Sequence, residues 1–170
     1  MIILGLGSNL SSSFGDRFKN INLAISYIES AGIKIIKKSS FYETPSYPNK
    51  KDPKFINVVI EISTELSPKD IASIMISIEE KLERKRNKRN DPRTCDIDII
   101  DFQGQVFEFK FTKFNFVVPH KDLSNRNFVL YPLKEILPNW KHPKTEEIVS
   151  NLINKLPIED KKCILKINKN

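Results

Sequence analysis

The 170-residue sequence predicts an α+β domain. The expected architecture is a ferredoxin-like βαββαβ core with both helices on one sheet face, C-terminal additions, and an open face left for a site. Three observations predict it. Apolar residues alternate with period two over residues 55–64 and 95–101. They recur at spacings of three and four over residues 14–28 and 71–82. The segments follow one another in the order β-α-β-β-α-β, whose right-handed crossovers put both helices on the same side of the sheet.

Residues 2–7 read as a buried first strand and residues 8–13 as a polar loop. Phe14, Phe18, Ile21, Ile25 and Ile28 form one helical face, and Gly32 is a suitable residue just past its end. Residues 33–42 read as one Ile-rich strand. Pro45, Pro48 and Pro53 make residues 43–54 a loop long enough to be functional. In the next strand Ile56, Val58, Ile60 and Ile62 point one way, and Phe55, Asn57, Val59 and Glu61 the other. Ser67 caps the second helix with Pro68 at its first position; Ile71, Ile74, Met75, Ile78 and Leu82 are its buried stripe. Residues 95–101 are the fourth core strand. A turn at residues 102–104 leads to a further strand near residues 105–109, where alternating phenylalanines read as strand packing. Residues 117–120 run into a loop, and a last helix lies near residues 145–156.

Length and the lack of any internal linker or repeat give a single domain over residues 1–170. A mean hydropathy of −0.35 and no apolar run near ~20 residues exclude a membrane span and suit a soluble protein. The N-terminus lacks a basic leader region, and Cys95 and Cys163 form no CxxC, which together point to a reducing, cytoplasmic setting. The formal net charge is +7. Much of the excess lies in residues 84–93, where six cationic side chains stand against Asp91 alone, and some in Lys161, Lys162, Lys166 and Lys169. Such a balance fits nucleic acid or a phosphorylated small molecule.

Strand parity says what the loop serves. If the aliphatic sets face the helices, then Phe55, Asn57, Gly5, Gly7, Asp96 and Asp98 share the opposite face. The glycines leave room there for something flat. Two aspartates at i, i+2 point the same way, roughly 6.5–7 Å apart, and suit Mg²⁺ carrying substrate phosphates. Arg84, Arg86, Arg89 and Arg93 beside them suit phosphoryl transfer, which is mostly positioning and charge stabilisation. There is no GxxxxGK[ST], and GxGxxG is incomplete after Gly5-Leu6-Gly7. His120, near Arg126, is a candidate phosphate contact; His142 reads as surface. Phe55 and Phe128 are candidates to sandwich a ring.

Four motifs then resemble 6-hydroxymethyl-7,8-dihydropterin pyrophosphokinase, a family of the folate pathway, over about residues 1–140. They are Gly5-Leu6-Gly7-Ser8-Asn9-Leu10; Phe41-Tyr42-Glu43-Thr44-Pro45 with Phe55-Ile56-Asn57; Asp91-Pro92-Arg93-Thr94-Cys95-Asp96-Ile97-Asp98-Ile99; and Val118-Pro119-His120 through Arg126, Phe128 and Pro132-Leu133. The resemblance implies that the substrate hydroxymethyl oxygen attacks the β-phosphorus of MgATP, transferring pyrophosphate and releasing AMP. It implies two Mg²⁺ ions on Asp96 and Asp98, with Arg84 and Arg93 also catalytic. It implies a pterin site of Gly7, Thr44, Pro45, Phe55, Asn57 and Phe128, and nucleotide contacts from Arg86, Arg89, Ile99, His120 and Arg126. It implies small-molecule partners only, with no nucleic acid and no membrane, and a monomer. The chain departs from the family at Asn90-Asp91, where Trp-Gly is frequent, and at Glu83-Arg84, where Gly-Arg is. An RNA-binding domain is the competing class, but carboxylates on the sheet face repel RNA phosphates. A pterin-binding homologue without activity is a third reading, opposed by the aspartate pair.

Overall fold

A computed structural model describes residues 1–85 and 91–168. The first strand, β1 (Ile2–Ser8), lies in the middle of the main sheet. It is followed by helix α1 (Arg17–Ser30), strands β2 (Lys34–Lys38), β3 (Phe41–Thr44) and β4 (Phe55–Ser63), helix α2 (Pro68–Lys81) and strand β5 (Asp96–Phe102). β1 pairs antiparallel with β4 on one side and β5 on the other. Antiparallel sheet and flanking helices make the domain α+β.

The predicted parity holds. Ile56, Val58, Ile60 and Ile62 join Ile2, Leu4, Leu6, Ile97 and Ile99 in one core with Ile21, Ala24 and Ile28 of α1 and Ile71, Met75 and Ile78 of α2. Ser67 caps α2 through a reciprocal box with Asp70, with Pro68 at the first position. α1 starts later than its apolar spacing suggests. Asp16 caps it by accepting from the Lys19 amide, which leaves Phe14 outside the helix and exposed. Gly32 follows the helix end at φ +82°, a conformation that disfavours side chains.

The strand expected over residues 33–42 is two strands. β2 pairs with the far end of β4 and β3 with its near end. Between them the buried Ser39 accepts from the Val59 amide through its hydroxyl and donates its own amide to the Val59 carbonyl. A side chain thus replaces one rung of the ladder.

The opposite sheet face is only partly open. Helices α3 (Asn127–Ile136) and α4 (Val149–Lys155) pack with Trp140 over Ile3, Val59 and Ile100, forming a second core. α3 carries little local signal, since Pro132 lies inside it and no side chain caps it. α4 is shorter than residues 145–156, and His142, expected at the surface, is buried: its Nδ1 accepts from the Lys144 and Thr145 amides and shapes the preceding turn. β6 (Phe107–Phe111) and β7 (Phe114–Val118) form a separate hairpin, in which Phe109 and Phe116 stack at 5.0 Å. The tail adds a short helix, α5 (Ile158–Lys162), and β8 (Leu165–Ile167), which pairs with β3. Among the described residues no helix is long and apolar enough to cross a membrane.

Trp140 of the second core is tied to β5 by a buried bond, its Nε1 donating to Asp101 Oδ2 at 2.7 Å. Trp140→Phe leaves that buried carboxylate short of a donor and is expected to cost about 1–3 kcal/mol in urea unfolding.

Candidate active site

Register assembles the site. Gly7 of β1 lies opposite Asn57 on β4 and opposite Asp96 on β5, and Gly5 lies opposite Asp98. Phe55 and Asn57 therefore flank a glycine whose other neighbour carries the carboxylates. A Cβ on Gly7 would meet Asn57 Oδ1 at 3.4 Å and Phe55 Cδ1 at 3.5 Å, so the bare glycine lets amide and ring approach the strand. Gly5 differs from expectation. Ile100 Cδ1 lies 3.2 Å from its Cβ position, so this stretch of the face is filled by the second core.

On the β3 side, the buried Asn57 donates from Nδ2 to the Tyr42 carbonyl at 3.2 Å and to Thr44 Oγ1 at 3.0 Å. That fixes the amide plane with its oxygen toward Gly7. Pro45 follows at the end of β3. Phe55 carries the Arg93 guanidinium 5.1 Å from its ring centroid, and Phe128 carries that of Arg126 at 5.5 Å. Each predicted stacking ring thus packs against an arginine of the cationic set.

The charged groups form one network. Arg84 Nη1 donates to Asp96 Oδ1 at 2.6 Å and pairs with Glu79. Arg93 Nε lies 2.8 Å from Asp96 Oδ2, and Arg126 Nη1 lies 3.4 Å from Asp98 Oδ2. Arg126 also sits 3.1 Å from His120 Nε2. Loss of water and then the Asp96 charge push the Asp98 carboxyl up to about 6, against the pull of Arg126, Arg84 and Arg93. Loss of water and then the Arg126 charge push His120 down to about 4, so its imidazole is neutral near pH 7. Among the described residues there is no group of three or more metal-ligating side chains. Two carboxylates on one face fit a cation whose remaining ligands are phosphate oxygens and water.

Of the sequence candidates, Gly7, Thr44, Asn57 and Phe55 come together on one side, and Arg84, Arg93, Asp96, Asp98, His120 and Arg126 on the other, with Arg93 touching both. The Ile99 side chain is buried in the helix-side core, so only its main chain can face a ligand. Arg86 and Arg89 lie outside the described residues. Glu79 was missed. It is buried on α2 and accepts from the Ile97 amide at 2.8 Å while pairing with Arg84. Its one signal is an acidic residue four positions after Met75, on the helix's buried side. A cavity of about 500 Å³ lies beside Arg84, between Ile76, Glu79 and Glu80 of α2 and Thr112, Lys113 and Phe114 at the hairpin tip.

The α+β domain sets a carboxylate pair and a group of guanidiniums beside a ring and a buried amide, the groups that a polyphosphate and a flat substrate would call for. The model of the 7,8-dihydro-6-hydroxymethylpterin-pyrophosphokinase family matches residues 3–138, and the chain belongs to that family. Its relatives include the 2-amino-4-hydroxy-6-hydroxymethyldihydropteridine pyrophosphokinases of Methylorubrum extorquens and Aquifex aeolicus. The first is 36% identical over 138 residues, covering 80% of this chain and 82% of its own. The second is 33% identical over 166 residues, covering 98% of each. Folic acid synthesis protein fol1 of Schizosaccharomyces pombe is 34% identical over 155 residues; the match covers 91% of this chain but spans only 20% of that relative. The crystal structure of wild-type Plasmodium falciparum HPPK-DHPS has the same fold, with a TM-score of 0.77 at 17% identity, covering 99% of this chain and 48% of that one.

Glu79 offsets a guanidinium that is itself nearly buried. Glu79→Ala is expected to cost about 3 kcal/mol in denaturant unfolding, and Glu79→Gln less, since an amide oxygen still accepts from Ile97.

Proposed function

We propose that the chain transfers pyrophosphate from MgATP to the hydroxymethyl group of 6-hydroxymethyl-7,8-dihydropterin, releasing AMP, as befits its family. The observation that carries the reading is adjacency. Asn57, Gly7 and Asp96 are register neighbours on three consecutive strands, so the flat-ligand pocket and the carboxylate pair are about 10 Å apart. That distance suits a bound hydroxymethyl oxygen attacking a β-phosphorus as the bond to the AMP oxygen breaks.

Gly7, Thr44, Pro45, Phe55, Asn57 and Phe128 are assigned to the pterin. Thr44 and Tyr42 orient the Asn57 amide, leaving its oxygen to accept from a ring N–H. Asp96 and Asp98 would hold two Mg²⁺ ions, which when bound neutralise and orient the phosphate oxygens. Arg84 and Arg93 stabilise charge on the transferred group; Arg126 and the neutral His120 serve the same polyphosphate. The cavity beside Arg84 is the place assigned to the nucleoside, with Ile99 contributing main chain. The ferredoxin-like description is supported by the order β5-β1-β4-β3 with helices α1 and α2 between strands, the hairpin and β8 being additions. A cytoplasmic monomer with no nucleic-acid or membrane partner is the accompanying reading.

Wild type is expected to form AMP from MgATP only when the hydroxymethylpterin is added, followed by chromatography of the nucleotides. Asp98→Ala should lower turnover by at least about a hundredfold and leave pterin binding intact. AMP formation that does not depend on the pterin would refute the reading.

A divalent cation at Asp98 competes with a proton. Below about pH 6 the neutral carboxyl dominates and must be deprotonated; above it the carboxylate is free. Mg²⁺ affinity should therefore rise about tenfold per unit up to about pH 6 and level off beyond. Titration calorimetry across that range reads it, and a flat profile contradicts it.

A further inference from the structure

Asn9 is only 2% exposed, and its side-chain amide reaches three segments. Oδ1 accepts from the Arg93 amide at 2.6 Å. Nδ2 donates to Ser46 Oγ at 3.1 Å and to the Pro53 carbonyl at 3.0 Å. The main chain of the same turn is tied to the same arginine: the Asn9 and Leu10 amides both donate to the Arg93 carbonyl, at 3.0 and 3.1 Å. Ser46 and Pro53 are the two ends of the loop that follows Thr44 and Pro45, and they are joined directly, Ser46 Oγ donating to the Pro53 carbonyl at 2.6 Å.

The two ends of one buried amide thus hold the two halves of the site. Its acceptor end holds Arg93, which lies on Asp96 and on the Phe55 ring. Its donor end holds the neck of the loop beside Thr44, which shares the Asn57 amide. Asparagine is suited to this because one planar group supplies an acceptor and a two-hydrogen donor. A shift of the loop neck must turn or drag the Asn9 amide, because a buried donor left without a partner is costly. The Arg93 main chain, held at both its amide and its carbonyl, then follows.

We propose that Asn9 is a positioning residue that couples occupancy of the ring-and-amide pocket to occupancy of the phosphate side. The proposal rests on the pyrophosphokinase reading. Such a coupling is reciprocal: each ligand tightens the other by the same factor.

The test is calorimetric titration of the full chain with the hydroxymethyl dihydropterin, and with Mg²⁺ and a non-hydrolysable ATP analogue, each alone and with the other saturating. Wild type is compared with Asn9→Asp and Ser46→Ala. Asn9→Asp keeps an acceptor for the Arg93 amide and loses the donor to Pro53; Ser46→Ala trims the same contact with a small, fold-compatible change. The wild-type factor is expected within roughly 5–150-fold. In Asn9→Asp it should fall to about one, with pterin affinity measured alone changed less than about threefold, and in Ser46→Ala it should fall part of the way. Variants that unfold more easily yet keep the wild-type factor would make Asn9 purely structural and overturn the proposal, as would a wild-type factor of one. AMP production by wild type separates the two claims: if it fails, the pyrophosphokinase reading falls and takes this one with it; if it holds while the factor is unchanged in both variants, only the coupling falls.

Discussion

The register of β1 between β4 and β5 is the constraint on which the site depends. Side chains along a strand alternate between faces, so a slip of one residue would carry Asp96 and Asp98 into the aliphatic core under α1 and α2. Two carboxylates there would lose their hydration with no cation to answer them, a cost that apolar contacts cannot offset. The same slip would expose Ile97 and Ile99, now buried in that core. Hydrophobic burial and charge solvation therefore select one register, and that register lines up Asn57, Gly7 and Asp96. The face is then divided by side-chain size. Ile100 fills the space over Gly5, α3 and α4 cover the end beyond, and the Gly7 end stays clear of that packing.

A second chain of dependence runs from the helix-side core into the site. Packing of Met75, Ile78 and Leu82 fixes the last turns of α2 and with them Glu79. Glu79 accepts from the main chain of β5 at Ile97 and pairs with Arg84, which reaches Asp96. Burial opposes the Arg84 charge, but Asp96 and Glu79 outweigh it and raise its pKa above the usual arginine value. The guanidinium is therefore held by two carboxylates of different kinds: one buried in the wall, the other on the face the substrates would use. Through it, the aliphatic stripe of α2 sets where a site arginine stands.

The face each core residue takes was legible in the sequence because burial writes it as a period of two, as in Ile56, Val58, Ile60 and Ile62. What was illegible has local causes. Ser39 interrupts a strand through a side-chain bond that no periodicity records. Pro132 marks a helix break, yet α3 runs through it because Val129, Leu130 and Leu133 bury against Trp140 and the sheet. The burial of His142 follows from two main-chain amides that meet its ring only once the turn is folded. In the site, Gly7, Thr44, Phe55 and Asn57 lie in one group and Arg84, Arg93, Asp96, Asp98, His120 and Arg126 in a neighbouring one, while Gly5 is covered by Ile100 and Ile99 turns its side chain into the core. Glu79 escaped because it stands beside Glu80 near the helix end, where an acidic pair looks like surface until the sheet is placed against it.

The two aspartates are not equivalent. Asp96 accepts from Arg84 at 2.6 Å and faces Arg93 at 2.8 Å, whereas Asp98 has Arg126 at 3.4 Å. The Asp96 charge is offset by close guanidiniums. That of Asp98 is less so, and loss of water and then the neighbouring Asp96 charge raise the affinity of its carboxyl for a proton. On the proposed reading, Asp98 would hold a cation at the smaller cost, because its guanidinium partner is more distant than those of Asp96. Arg84 and Arg93, both paired with Asp96, would share that carboxylate with a cation and could turn to phosphate oxygens in its place. The arginines would then reach a polyphosphate by exchanging one anionic partner for another. They never stand as a cluster of uncompensated positive charge, whose mutual repulsion would oppose the fold.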